Sequence, residues 1–143
     1  MNLPSRLLQV AYYQALNGNI SYGGSNVPVY DVVPKGADYP YILLGSQLVT
    51  ETKFNTDTRI TDVIFDVDVV TGFEGAFGGK SQAYDISEDV INAIRKTPGT
   101  YLSLSGFKML TATLENSIIL QEESETHILY INKLRFRHII SQE

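Results

Sequence analysis

The run Arg59 to Thr71 constrains this chain most. Val63, Phe65, Val67 and Val69 alternate with Asp62, Asp66 and Asp68, and a period of two puts the apolar set on one face of a strand and the carboxylates on the other. A strand patterned this way needs a sheet covered on one side and wet on the other, although Ile64 and Val70 interrupt the polar face. Two further long β-patterned runs, Phe107 to Leu120 and Thr126 to Ile140, lie either side of an acidic tip, Gln121 to Glu125. Tyr39 to Thr52 is a fourth, with a bend or bulge expected at Gly45.

Two segments have helical spacing instead. Leu8, Ala11, Tyr12 and Ala15, widened by Leu7 and Leu16, form one stripe over Pro4 to Leu16. Pro4 suits a first turn and Asn17-Gly18 a stop. Ala83, Ile86, Val90 and Ile94, joined by Ile91, form the second, over about Lys80 to Lys96. Arg95 and Lys96 fall in its last turn and Thr97-Pro98-Gly99 beyond it. Asn19 to Asn26 reads as a loop, Val27 to Val33 as a short edge segment hemmed by Pro28 and Pro34, and Pro34 to Asp38 as a turn. Glu51 to Asp57 reads as a hairpin loop, Gly72 to Gly79 as an irregular loop with four glycines, Tyr101 to Leu104 as a short strand and Ser105-Gly106 as a turn. The order helix, strands, helix, strands predicts an α+β fold: a mainly antiparallel sheet, two helices packed on it and a long C-terminal hairpin, in one domain over 1–143.

Length adds a functional hint. Fifteen extended residues, Thr126 to Ile140, would span about 50 Å, whereas a chain of 143 residues has a radius of gyration of about 14–15 Å. The last strand therefore bends, or its hairpin projects beyond the body to meet a neighbouring subunit.

Composition removes several function classes. The 11 Lys and Arg against 16 Asp and Glu leave a net charge of −5, the wrong sign for a general duplex-DNA binder. Without cysteine there is no disulfide, thiolate metal site or cysteine nucleophile. No apolar run approaches the roughly 20 residues of a membrane helix, and Tyr12, Tyr13 and Gln14 interrupt the N-terminal run, which does not read as a signal peptide. Gly79-Lys80-Ser81, between a strand and a helix, has the setting of a phosphate-binding loop, but Glu74 stands where that motif requires its first glycine. His127 and His138 occupy no metal-ligand spacing, and no G-x-S-x-G is present. No catalytic, cofactor or metal site is therefore expected.

Charge on the strand faces points to association. Asp62 and Asp66 are about 13 Å apart along a strand, too far for one ion to join all three aspartates. They are a solvated face, or partners for Lys133, Arg135 and Arg137, which share one face of the last strand. If the two strands are not neighbours in one subunit, the faces can meet between subunits. The aromatic pair flanking a proline, Tyr39-Pro40-Tyr41, is a corner or part of an interface. With Phe54, these residues make up the expected subunit interface: Tyr39, Tyr41, Phe54, Asp62, Asp66, Asp68, Lys133, Arg135 and Arg137.

The order of these segments and several local strings resemble the tail completion, or tail terminator, family of long-tailed bacteriophages. The strings are Val29-Tyr30-Asp31-Val32-Val33-Pro34-Lys35-Gly36-Ala37, Tyr39-Pro40-Tyr41-Ile42-Leu43-Leu44-Gly45, the polar loop Thr50 to Thr58, Asp66-Val67-Asp68-Val69-Val70, the helix Ala83 to Ile94 and Leu134-Arg135-Phe136-Arg137. The glycine-rich 72–79 stretch is longer than the family pattern. The resemblance implies a structural virion protein assembled in the host cytoplasm. Such proteins form a ring, commonly of six copies, at the head-proximal end of the tail tube. The implied partners are sister copies, the tail tube protein and the head-side connector or neck protein. DNA would slide through the bore without specific binding, which an acidic chain favours. The competing readings are another neck or tube subunit, a host-encoded module inside a prophage or contractile device, and a small nucleotide-binding or hydrolytic enzyme using Gly79-Lys80-Ser81.

Overall fold

The computed structural model describes residues 3–53, 59–74, 79–95, 102–123 and 126–142. Helix α1 is Ser5–Leu16 and α2 is Ser81–Ile94; the strands are β1 Ser21–Tyr22, β2 Ser25–Asn26, β3 Val29–Tyr30, β4 Tyr41–Lys53, β5 Arg59–Glu74, β6 Phe107–Glu123 and β7 His127–Gln142. The main sheet has the order β3-β4-β5-β7-β6, and β1 and β2 pair separately. The fold is α+β, with two helices on one face of a sheet that is antiparallel except where β3 runs parallel to β4.

The alternation in β5 sets the layers. Val63, Phe65, Val67 and Val69 are buried, as are Leu134, Phe136 and Ile140 of β7. Leu8, Tyr12 and Leu16 of α1 and Ala83, Ile86, Val90 and Ile94 of α2 close over them. Tyr12 stacks on Phe65 with ring centroids 4.3 Å apart and meets Phe136 edge-on at 5.9 Å. The Tyr12 hydroxyl bonds to Nε2 of His138, which is fully buried. The tyrosine thus pins α1 to β7 through both packing and a polar bond.

A second polar link ties α2 to the far half of the sheet. Asn132 Nδ2 donates to Ser87 Oγ at 2.9 Å and Asn132 Oδ1 accepts from Ser117 Oγ at 2.8 Å. Ser87 Oγ in turn donates to the Ala83 carbonyl. A buried amide with donor and acceptor both satisfied is tolerated in a core and fixes its neighbours, here α2, β7 and β6.

Several segments differ from the sequence reading. Residues 21–26 form the small β1–β2 hairpin, with Gly23 and Gly24 at positive φ in the turn. Gly72 to Glu74 belong to β5, paired with Leu129 to His127, because Phe73 continues the inward alternation and packs on Tyr130. α2 ends at Ile94, so Arg95 caps it rather than lying in its last turn. Leu102 is not in a strand, and Leu104 makes only an isolated bridge to Phe107 around the Ser105-Gly106 turn. Lys96, the Thr97-Pro98-Gly99 stop and Tyr101 fall outside the described residues, as do most of the expected hairpin loop, the middle of the 72–79 loop and the end of the acidic tip.

Neither long terminal strand stands alone. β7 pairs with β5 from Glu74↔His127 to Ile60↔Ser141 and with β6 along its other side. The last strand is therefore the middle of three paired strands, not half of a bare hairpin. β6 carries bulges between Met109 and Thr111 and between Leu114 and Asn116, while β4 bulges between Leu44 and Gln47. Gly45 is where a bend was expected; a Cβ there would lie 2.8 Å from the Asp66 carbonyl oxygen. The β4 bulge and the second β6 bulge flank the same row, Asp66↔Arg135, and form a crease across the sheet. Beyond it, Glu115 to Glu123 is exposed except for partly buried Ile119.

Candidate assembly surface

The outer face of the sheet, away from the helices, carries the charge pattern. Asp66 lies directly opposite Arg135, and Asp68 opposite Lys133. Arg135 Nε donates to Asp66 Oδ1 at 3.0 Å and Lys133 Nζ to Asp68 Oδ2 at 3.3 Å. Arg137 sits opposite Ile64 and reaches diagonally, its Nη2 donating to Asp62 Oδ2 at 2.5 Å and its Nε to both carboxylate oxygens. Hydrogen bonds donated to Asp66 and Asp62, then the charge on those carboxylates, hold the Arg135 and Arg137 pKa values above the usual guanidinium value. A further pair, Arg59 to Glu51 at 3.2 Å, joins β5 to β4.

β5 and β7 are therefore neighbours, and the two charged rows meet within one subunit. The condition for their meeting between subunits is not met. Their immediate effect is to align β7 on β5, since a one-residue slip would break every pair and turn the apolar set outward. Beside this ladder, at the crease, Gly45, Ser46, Asn116, Ser117 and Ile118 join the Asp66–Arg135 and Asp68–Lys133 pairs in lining an open groove of about 560 Å³.

At the end of the sheet near β3, the tyrosines form a belt on the same face. Tyr39 and Tyr41 stack at 5.6 Å across the cis Tyr39–Pro40 bond; Tyr30 packs on Tyr41 at 5.8 Å, and His127 on Tyr39 at 6.3 Å. Gly72 makes this packing possible: a Cβ there would lie 2.5 Å from Tyr39 Cδ2 and 2.9 Å from Leu129 Cδ2. Tyr39 thus lies across β5, and Val70, opposite Tyr41 on the outer face, is buried. Burial raises the Tyr41 pKa, helped by Tyr39 and by the charge on Asp68. Tyr39 and Tyr41 are thus a packed corner whose outer rim stays open, with Tyr39 still 38% exposed. Phe54 lies outside the described residues.

The remaining motifs fall apart in space. Lys80 caps the start of α2 without a side-chain hydrogen bond to the helix, and the strand before it belongs to an antiparallel sheet. Among the described residues no three His, Asp or Glu side chains are grouped to hold a metal, and no helix is long and apolar enough to cross a membrane. The Tyr12–His138 pair and the Ser87–Asn132–Ser117 link were not read from the sequence. Their signal was a polar residue at an inward position of an otherwise apolar strand face.

This chain matches the family model described as Tail completion protein gp17 over residues 5–140. It belongs to that family. The protein is thus a structural component of a phage-type tail. Its fold is similar to a chain in a structure titled "Virion of native gene transfer agent (GTA) particle", with a TM-score of 0.75, 18% identity and 99% of each chain covered. No curated protein sequence matches it significantly.

Proposed function

We propose that this tail completion protein closes a ring with copies of itself, commonly six, at the head-proximal end of the tail. There it ends the tail tube and offers a surface to the head-side connector. The observation that carries the reading is family membership over residues 5–140. The outer face of the sheet fits it physically. It has an uncovered strand, β6, beyond the crease, a ladder of charge that stiffens the sheet, and an open aromatic corner at Tyr39 and Tyr41. A ring is closed by a heterologous interface, in which one patch meets a different patch on the next copy, and uncovered edges and faces are what such contacts use. The interface includes Tyr39, Tyr41 and the outer rims of the Asp62, Asp66, Asp68, Lys133, Arg135 and Arg137 ladder. DNA passes through the bore without sequence-specific binding, and no side chain performs chemistry. The reading is tested by the mass of the purified protein and by imaging intact particles. A ring-sized particle found once per tail is the expected result; copies stacked along the whole tube would refute capping, and a permanent monomer would refute the ring.

A further inference from the structure

Two rows of exposed residues on this chain match each other but cannot meet within it. The first is on α1. Arg6, Val10 and Tyr13 share one helix face, turned away from the buried Leu8, Tyr12 and Leu16. Val10 is 41% and Tyr13 43% exposed, large values for apolar side chains on a helix already packed on its other side. The second row is on β6 beyond the crease. Ile118, Leu120 and Glu122 alternate onto the outer face opposite Lys133, Ile131 and Leu129, with Ile118 55% and Leu120 39% exposed. The helices cover the inner face, so the rows lie on opposite sides of the sheet.

The rows agree in chemistry and spacing. Each reads charge, apolar, apolar: Arg6-Val10-Tyr13 on the helix and Glu122-Leu120-Ile118 on the strand. Along α1 the steps are about 6 and 4.5 Å at 1.5 Å per residue. Along β6 each two-residue step is about 6.7 Å. Over the full row the mismatch is about 3 Å, within the reach of an Arg and a Glu side chain. Among the described residues neither Arg6 nor Glu122 forms an ion pair, so each charge is available. The stretch Asn116 to Gln121 carries no charge and no proline, and an uncharged, uncovered edge strand is a liability unless a partner covers it.

We infer that the occupant of this β6 face is the α1 face of a second copy, with Leu120 against Val10, Ile118 against Tyr13 and Glu122 paired with Arg6. Because the two patches differ, the contact is heterologous and repeats from copy to copy, closing when the rotation permits. This inference rests on the ring reading above and names the surfaces that would build it.

The chain has no cysteine, so engineered cysteines report without background. Val10→Cys and Leu120→Cys, made as separate proteins, mixed under assembly conditions and oxidised, are expected to give a covalent heterodimer; Val10→Cys with Leu48→Cys, exposed elsewhere on the sheet, is expected to give none. Arg6→Glu and Glu122→Arg are each expected to weaken self-association about fivefold, the upper range of one partly exposed ion pair, and the double reversal to restore it. Ring-sized particles without a Val10–Leu120 link, indifferent to either reversal, would overturn this contact and leave the ring standing. Monomer mass throughout, with no link, would overturn both. Linking to Leu48 instead would also overturn the assignment.

Discussion

The buried His138 gives the sharpest test of how the core is held. Burial lowers its pKa to about 4 from an ordinary 6.5, against a smaller opposite pull from the Thr111 backbone. A neutral imidazole accepts the Tyr12 hydroxyl proton at Nε2; burial raises the Tyr12 pKa well above its usual value, so the phenol stays protonated. Because the folded pKa lies below the unfolded one, the unfolded chain binds the extra proton first. The stabilisation is therefore complete above pH 6.5 and declines as pH falls toward 4. For one such group, linkage gives a loss of about 2 kcal/mol between pH 7 and pH 5 and about 3 kcal/mol by pH 4. The window from pH 7 to 5 is the cleaner one, since most carboxylates remain ionised there. Urea unfolding of the wild type and His138→Leu at pH 7, 6 and 5 is the assay. The variant is expected to be less stable at pH 7, having lost the Tyr12 bond, but to lack most of the decline. Equal pH slopes in both proteins, or a His138 imidazole whose NMR titration in the folded protein centres near 6.5, would refute the reasoning.

The other predictions concern packing and the buried amide. Gly72→Ala places a methyl inside Tyr39 and Leu129; a loss of about 1–3 kcal/mol is expected from overpacking, measured by urea unfolding, and less in a Tyr39→Ala background. Equal losses in both backgrounds would show that Tyr39 is not the obstacle. Asn132→Ala removes both bonds of the α2–β7–β6 link and is expected to cost about 1–3 kcal/mol, with faster amide exchange in Ser117 to Leu120. Unchanged exchange there would show that the amide does not hold the far half of β6.

The layers were legible in the sequence because they follow from periodicity. The alternation in Arg59 to Thr71 and the stripes Leu8-Tyr12 and Ala83-Ile86-Val90-Ile94 each name their buried face without reference to the rest of the chain. The bend at Gly45 was legible for the same local reason. Strand adjacency was not. That β5 lies beside β7 depends on contacts far apart in the chain, so Asp66 and Arg135 could be seen as complementary but not as neighbours. Gly72 misled for a physical reason: a glycine that ends alternation looks like a turn, whereas here it makes room for an aromatic ring arriving from another strand. The Tyr12–His138 bond was hidden because Tyr12 fits an apolar stripe, and nothing local says where its hydroxyl will end.

The bulges that face each other across the Asp66↔Arg135 row have one last consequence. A pleated surface interrupted at one level behaves as two panels joined along a fold. On one side of it the sheet is clamped to α1 by Tyr12, Phe65 and Phe136, while on the other it is tethered to α2 through Asn132. On β6 beyond that seam, Asn116 to Glu123 is exposed apart from Ile119, so substitutions there change what the sheet presents to a neighbour while the residues buried under the helices stay as they are.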